Sequence, residues 1–246
     1  MNSYSEAENA RGYSEFMDSE EGKTQQKLIW EAIFPRVKGD KILDAACGTG
    51  WFAGKLAAKK NGQEKFNVSA CDASASLVER ARAAYPNVHF DVADLSQKNM
   101  PYAAESFSTV VLNMALHDFA DMPNVLKNLR ALLQPNGALL VTVANPYYSF
   151  PVGTWKRGLI GRILNRRPTL KLGDYGALAR NPDRAFKWHS GNTSYFYTLP
   201  EMIKAGIAAG FTLTNVSDVM ANSDSGTFGR HYKMYRYPLI VLLEFN

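Results

Sequence analysis

The chain has 246 residues, 46% of them hydrophobic, which suits one large α/β domain of ordinary globular composition. Its two cysteines, Cys47 and Cys71, are too few for a disulfide framework or a cysteine-based metal site, so we expect no metal and a reducing compartment. The first residues lack a basic region followed by an apolar core, so we expect no signal peptide and a cytoplasmic location.

The predicted elements alternate between helices and strands. Helical spacing covers residues 5–34, with a break near Asp18 and a stop at Pro35. Strands are predicted, in chain order, at residues 41–47, 66–72, 88–94, 107–115, 138–144, 211–219 and 237–245. Helices are predicted at residues 51–60, 74–85 (with Ser74 as N-cap), 123–133 and 200–209.

This order predicts a mostly parallel sheet with helices on both faces. A Pro-Asn-Gly turn at 135–137 separates a helix from the fifth strand. The last two strands have no predicted helix between them, which indicates an antiparallel hairpin at one edge.

The net charge of +5 is unevenly placed. Residues 151–190 contain nine lysines and arginines but two aspartates, and the rest of the chain is slightly acidic. The same region holds several aromatic residues. One segment therefore carries the basic excess.

Residues 41–53, KILDAACGTGWFA, form the most informative motif. A strand, a tight glycine-containing turn and a helix start let a nucleotide-like ligand approach the backbone. Gly48, Gly50 and Ala53 fit a dinucleotide fingerprint loosely, and Asp72 lies 22 residues beyond Gly50. Asp44 argues against that alternative, because a carboxylate at the strand end repels a pyrophosphate and attracts a cation. A simple loop-capping role for Asp44 is the other interpretation.

The motif resembles the first motif of class I S-adenosylmethionine-dependent methyltransferases, an acidic residue followed by x-Gly-x-Gly-x-Gly, with Ala46 replacing the first glycine. The turn at 135–137 and the terminal hairpin also resemble that family. The resemblance implies an α/β, Rossmann-like, seven-stranded, mostly parallel sheet whose last strand is antiparallel. It also implies a helical N-terminal cap at 1–35 and a methyltransferase domain at 36–246 with a lid insert at about 147–195.

The resemblance places the cofactor at the ends of successive strands. Asp72 would accept hydrogen bonds from both ribose hydroxyls, and Asp94 one from the adenine amino group, with the Leu95 amide at the ring. Tyr13 lies on a helix that resembles the one covering the cofactor in small-molecule methyltransferases, although ordinary packing explains it equally. The expected cofactor-binding residues are Asp44, Ala45, Ala46, Gly48, Gly50, Asp72, Ala73, Asp94, Leu95, Asn113, Met114 and Tyr13.

Methyl transfer from S-adenosylmethionine, which leaves S-adenosylhomocysteine, is an in-line displacement. It needs alignment and exclusion of water more than acid–base chemistry. A base is required only when the acceptor loses a proton. His189, between the basic segment and the next helix, is the first candidate. His117, after the fourth sheet strand, is the second, with packing as its alternative role.

The composition of the insert at about 147–195 indicates the chemical class of the methyl acceptor. Aromatic and basic residues over the strand ends predict a lid around a small molecule, aromatic or anionic. One alternative is an RNA (tRNA) methyltransferase whose basic insert grips phosphates. Another is a non-catalytic cofactor-binding or regulatory protein of the same fold. The amphipathic pattern at 158–167 also suits peripheral contact with a membrane surface, and the oligomeric state stays open.

Overall fold

The structure is a computed structural model that describes residues 7–61, 64–156, 168–188, 192–222 and 230–246. Its strands are β1 Lys41–Ala45, β2 Lys60–Asn61, β3 Glu64–Lys65, β4 Asn67–Asp72, β5 His89–Val92, β6 Phe107–Asn113, β7 Leu133–Ala144, β8 Gly153–Lys156, β9 Thr169–Leu172, β10 Ala185–Lys187, β11 Thr193–Tyr195, β12 Leu213–Val219 and β13 Ile240–Phe245. Its described helices are α1 Ala7–Asp18, α2 Glu20–Ile33, α3 Trp51–Ala57, α4 Ala75–Ala84, α5 Met122–Leu132, α6 Tyr175–Arg180, α7 Leu199–Ala208 and α8 Arg230–Arg236, with 3-10 turns at Phe34–Arg36 and Leu116–Asp118.

Seven strands form the central sheet in the order β12-β13-β7-β6-β1-β4-β5. β1 pairs in parallel with β4 and with β6, whereas β13 is antiparallel to both β7 and β12. The predicted mostly parallel sheet with a reversed last strand is confirmed. Because the strand order changes direction beside β1, the carboxyl ends of β1, β4 and β6 meet where ligands bind in such sheets.

Both faces of the sheet are covered, which explains the nearly continuous apolar strands. Ile42 packs into one core cluster, with Ile33 of α2 and Phe52 of α3. The next residue, Leu43, packs into the opposite cluster, with Leu129 of α5. Successive strand side chains point to opposite faces, so β1 joins the two layers and is held firmly in register.

Side-chain caps fix where several helices begin. The oxygen of Ser19 accepts from the Gly22 amide, so the helical region divides after Asp18 as predicted. Ser74 accepts from the Leu77 amide and is the predicted N-cap of α4. Thr198 and Glu201 form a reciprocal capping box at α7.

Two predictions about connections were wrong. A seven-residue helix, α8, lies between β12 and β13, so these strands are not joined by a simple hairpin. The turn signal at 135–137 lies inside β7 as an irregularity in strand pairing, with Asn136 at φ 65°. Pairing with β6 passes from Phe107–Leu133 to Thr109–Ala138 across it, so β7 begins before the turn.

The insert contains short elements that the sequence patterns did not indicate. β8 pairs with β9, β10 pairs with β11, and α6 lies between these pairs. None of the helices in the described part of the chain has the length and hydropathy that crossing a membrane requires.

Candidate active site

The loop after β1 has a backbone conformation that favours glycine. Gly48 has φ 55° and Gly50 has φ 74°. Ala46, at φ 55°, adopts the same left-handed conformation, which costs a residue with a Cβ about 1–2 kcal/mol. The replacement of glycine at position 46 therefore leaves the turn intact at an energetic cost.

Asp44 ends β1 as a buried carboxylate, 1% exposed. Its Oδ2 accepts a hydrogen bond from the Ala53 amide at 3.1 Å. Within the described residues its Oδ1 has no hydrogen-bond partner. Burial raises the pKa of this carboxyl to about 7. The oxygen is thus available to a cation or a hydrogen-bond donor supplied by a ligand.

Asp72 ends β4 and organises the neighbouring turn. Its Oδ2 accepts from the Gly48 amide and its Oδ1 from the Ser74 amide, both at 2.9 Å. Burial raises the pKa of Asp72, and these backbone donors oppose that rise. Each carboxylate oxygen has two acceptor sites, so Asp72 can also accept bonds from ligand hydroxyls.

These residues surround a cavity at the carboxyl edge of the sheet, with about 50 Å³ of free volume. We call it the donor cavity. It is lined by Tyr13, Ala46, Gly48, Asp72, Leu77, Asn113, Met114, Ala115, Asp118 and Phe119. Six of these ten were predicted cofactor-binding residues. Asp118 was missed, although it follows His117 at the same sheet edge, which is a signal that the sequence offered.

The other predicted cofactor residues lie outside this lining. Asp44, Ala45 and Gly50 are in or beside its supporting loop, and Ala73 follows β4. Asp94 and Leu95 follow β5, where Asp94 Oδ1 accepts from the amide and hydroxyl of Ser96. Their proposed contacts with adenine stay predictions.

Helix α1 covers the donor cavity through Tyr13. A Cβ placed on Gly48 would lie 2.7 Å from Cε1 of this tyrosine, so ring and backbone are in close contact. Burial and the charges of Asp72 and Asp44 raise the pKa of the Tyr13 phenol, which stays protonated. The structure thus puts an aromatic cover over the glycine turn.

Hydrogen bonds at the end of β6 position two residues that line the donor cavity, Asn113 and Met114. Asn113 Oδ1 accepts from the Thr142 hydroxyl at 2.5 Å. The Met114 amide donates to the backbone oxygen of Thr142 at 2.8 Å, and Met114 adopts φ 55°. These contacts hold the backbone of both predicted residues against β7.

The insert is attached to the donor cavity through Asp118. The Ser194 hydroxyl of β11 donates to Asp118 Oδ1 and accepts from Trp188 Nε1 at 2.8 Å. Burial raises the pKa of Asp118. Because Asp118 lines the donor cavity, the position of the insert is fixed relative to that cavity.

A second cavity lies between the insert and the 3-10 turn Leu116–Asp118. We call it the aromatic cavity. It is lined by His117, Ala144, Pro146, Phe150, Pro151, Phe186, Trp188, Tyr195, Phe196, Tyr197 and Met202. His117 thus lies beside the donor cavity, on the side facing the insert. His189 lies outside the described residues.

The described cations of the insert do not line the aromatic cavity. Lys156, Lys171, Arg180 and Lys187 are exposed, and Arg184 pairs with Glu201 of α7 at 2.8 Å. Aromatic side chains face inward instead, as in the stack of Tyr147 on Tyr175. Exposed charge on these residues therefore does not define the cavity wall.

Comparison with known proteins identifies the domain. Residues 42–137 match the family model described as a methyltransferase domain. A 2-phytyl-1,4-naphtoquinone methyltransferase from Trichormus variabilis is 32% identical over 116 residues, which cover 46% of this chain and 48% of the relative. Residues 42–137 of this chain therefore match a methyltransferase domain.

Two further similarities agree with this methyltransferase domain. A demethylmenaquinone methyltransferase from Thermotoga maritima is 29% identical over 148 residues, which cover 56% of this chain and 60% of the relative. An S-adenosylmethionine-dependent methyltransferase structure from Mesorhizobium loti matches at 21% identity with a TM-score of 0.68, over 90% of this chain and 99% of that one. The latter likeness shows the fold alone. The chain spans about half the length of the curated relatives it matches.

The residues of the methyltransferase domain fit S-adenosylmethionine, which carries an ammonium and a sulfonium cation. Asp44 supplies a buried oxygen without a partner among the described residues, and Gly48 lets a ligand approach the backbone. Among the side chains that the structure describes, no group of three or more His, Cys, Asp or Glu could hold a metal ion.

Proposed function

We propose that the protein transfers a methyl group from S-adenosylmethionine to a small molecule by in-line displacement. The observation that carries this proposal is the buried Oδ1 of Asp44, which has no hydrogen-bond partner among the described residues and belongs to the strand end beside a cavity that Asp72 and Asp118 line. Burial disfavours ionisation of all three carboxyls, and a cationic ligand offsets that penalty.

Each residue has a distinct proposed task in binding the donor. Asp44 binds the ammonium group, and Asp72 accepts from the ribose hydroxyls while its backbone bonds keep the turn in place. Tyr13 covers the cavity and excludes water. The bound donor supplies a methyl group already activated by positive sulfur, so the protein mainly aligns the acceptor.

A proton acceptor is needed when the acceptor is a hydroxyl. We propose His117 for this role, because it lines the aromatic cavity and is adjacent to Asp118 of the donor cavity. His189, the first candidate from the sequence, lies outside the described residues. Quinone substrates appear in the names of the Trichormus and Thermotoga relatives, which supports a small, ring-containing acceptor here as well.

Calorimetry with S-adenosylhomocysteine tests the donor site directly. We expect Asp72→Ala and Asp94→Ala each to weaken binding by about 1–3 kcal/mol, the range for a lost hydrogen bond with a buried partner. The control is Asp40→Ala, which removes an exposed carboxylate just before β1, at the opposite edge. Unchanged affinity in both variants, with the fold intact, would contradict the assignment.

Methyl transfer itself requires labelled S-adenosylmethionine and a panel of phenolic and RNA acceptors. Turnover with any acceptor would exclude a non-catalytic role. The RNA alternative is favoured by the exposed cations Lys156, Lys171 and Lys187. It predicts tRNA binding that weakens steeply between about 50 and 200 mM salt. The slope of log affinity against log salt concentration should be roughly proportional to the number of phosphate contacts. tRNA binding that does not change with salt concentration would exclude the RNA alternative.

A cytoplasmic location is proposed on the basis of Cys47 and Cys71, both buried and free. Cell fractionation tests this, and recovery of the protein from an oxidising compartment would contradict it.

A further inference from the structure

We propose that the aromatic cavity is the acceptor subsite and that it takes an uncharged planar ring carrying a hydroxyl group. This inference rests on the proposed methyl transfer, and it names the substrate class of that reaction. It follows from three features of the described part of the cavity: its walls, a buried nitrogen of His117 without a hydrogen-bond partner, and a lining without charged side chains.

The walls of the cavity are flat and apolar. Phe150 contacts Phe186 at 5.7 Å and Trp188 at 5.5 Å between ring centroids, and the latter two rings are 5.3 Å apart. Phe150 follows β7, whereas Phe186 belongs to β10 and Trp188 follows it. Such rings stack on or edge against another aromatic ring more favourably than against an extended polar chain.

A buried nitrogen in this lining has no hydrogen-bond partner among the described residues. His117 is 7% exposed, and its Nδ1 makes no hydrogen bond within the described residues. Its ring lies 6.1 Å from that of Trp188. A buried nitrogen without a partner is unfavourable, and a ligand hydroxyl placed in the cavity would satisfy it.

The cavity has no counter-charge for an ionic ligand. Of the eleven residues that line it in the described part of the chain, none is Lys, Arg, Asp or Glu. A charged group entering it would lose its hydration without an ionic partner. The acceptor is therefore neutral, which separates this inference from the anionic acceptor that the basic insert suggested.

The position of His117 places this ring beside the methyl donor. His117 lines the aromatic cavity, and the next residue, Asp118, lines the donor cavity. The aromatic cavity has about 20 Å³ of free volume, enough for one water molecule. A ring enters only when lid side chains separate, and half-buried Phe186 and Trp188 are the ones at the rim.

Calorimetry with three bicyclic probes tests the subsite, with and without S-adenosylhomocysteine. The probes are 2-naphthol, naphthalene and 2-naphthoate, which share a ring system but differ in hydroxyl and charge. We expect 2-naphthol to bind at least about tenfold more tightly than 2-naphthoate, because the latter is anionic at neutral pH. Equal or tighter binding of 2-naphthoate would overturn the inference.

Two variants locate the bound probe. Phe186→Ala should weaken 2-naphthol binding by about tenfold through lost ring contact. The control Trp155→Ala removes an insert aromatic that packs on Tyr237, outside the cavity lining, and should leave that binding unchanged. His117→Phe keeps an aromatic ring and should reduce the preference for 2-naphthol over naphthalene by roughly 3–10-fold.

The outcomes separate this inference from the donor assignment. In Phe186→Ala and His117→Phe the affinity for S-adenosylhomocysteine should stay within about twofold of the parent value. Normal affinity for S-adenosylhomocysteine also shows that the variant is folded. If S-adenosylhomocysteine fails to bind the parent protein, the proposed function fails, and the probe series still decides the subsite. If donor affinity is normal but neither variant changes 2-naphthol binding, the aromatic cavity is not the subsite.

Discussion

The donor cavity and the aromatic cavity lie on either side of one short turn, but they are built differently. The donor cavity is built at the ends of neighbouring strands, from backbone conformation and buried carboxylates, as at Gly48 and Asp72. The aromatic cavity depends on rings brought from distant segments, such as Phe150 and Trp188. Short motifs at strand ends can therefore indicate the donor cavity, whereas tertiary packing forms the aromatic cavity.

The largest effect expected on the donor side concerns Asp44. Its folded pKa, about 7, lies above the usual 3.8, so the folded state holds the proton more tightly and the free energy of unfolding falls as pH rises from about 4 to about 7. This contribution reaches about 4 kcal/mol by order of magnitude. Urea unfolding at pH 4.5 and pH 8 should show a smaller pH dependence in Asp44→Asn than in the parent protein.

Donor binding should show the opposite dependence on pH. A cation favours ionised Asp44, so affinity for S-adenosylmethionine should rise with pH and level off above about 7. Asp44→Asn should lose this rise. A parent protein whose affinity and stability are both flat across this range would rule out a buried titrating Asp44.

Gly48→Ala should have the next largest effect. The new Cβ would lie 2.7 Å from Tyr13 Cε1, in a left-handed backbone conformation. We expect a loss of about 2–3 kcal/mol in the free energy of unfolding, or roughly 5–10 °C in Tm, together with weaker donor binding. Gly173→Ala is the control, because its Cβ would meet only Val152 O at 3.4 Å. Equal Tm values for Gly48→Ala and Gly173→Ala would argue against close contact of α1 with the glycine turn.

Ser194→Ala tests the connection between the two regions. It removes the bonds to Asp118 and Trp188, at a cost of about 1–2 kcal/mol in stability. We expect a higher KM for the acceptor with donor affinity within about twofold. The control, Ser106→Ala, removes an exposed hydroxyl. A variant with lower donor affinity and an unchanged acceptor KM would reverse the assignment of the two cavities.

The smallest effect is expected from Ala46→Gly. Removing the Cβ relieves left-handed strain at φ 55°, and the entropy of glycine offsets part of the gain. The free energy of unfolding should rise by about 0.5 kcal/mol in urea titrations. Ala45→Gly, in the buried end of β1, should lower it. A destabilised Ala46→Gly would mean that the Ala46 Cβ contributes packing that outweighs strain.

The sequence was sufficient for the features that depend on local chain chemistry. The strand–turn–helix at 41–53 was correct because a largely apolar strand, small turn residues and a helix start all lie within that segment. The reversed last strand was also predicted, but α8 was not. This helix has seven residues, too few turns to show a helical period, and Met234 is fully buried among the side chains of the helix that the structure describes.

The aromatic cavity could not be predicted as a site. Its residue types were visible in the insert, but the position of His117 next to Trp188 depends on how β10 and β11 pack on the sheet. The same dependence hid the role of Asp118 in attaching the insert, since its hydroxyl partner Ser194 is 76 residues away, although the position of Asp118 next to His117 was a signal for the residue itself. The described cations of the insert are absent from the lining of the aromatic cavity, which is consistent with the cost of burying a charge without a partner.

The 3-10 turn Leu116–Asp118 has a consequence for how this domain can diversify. Consecutive side chains in such a turn point about 120° apart, so His117 and Asp118 face different chambers. One extra residue before Leu116 would turn both side chains away from their cavities, while leaving the glycine turn and Asp72 in place. The length of this connection therefore affects the aromatic cavity and the Asp118 side of the donor cavity together, but not the glycine turn.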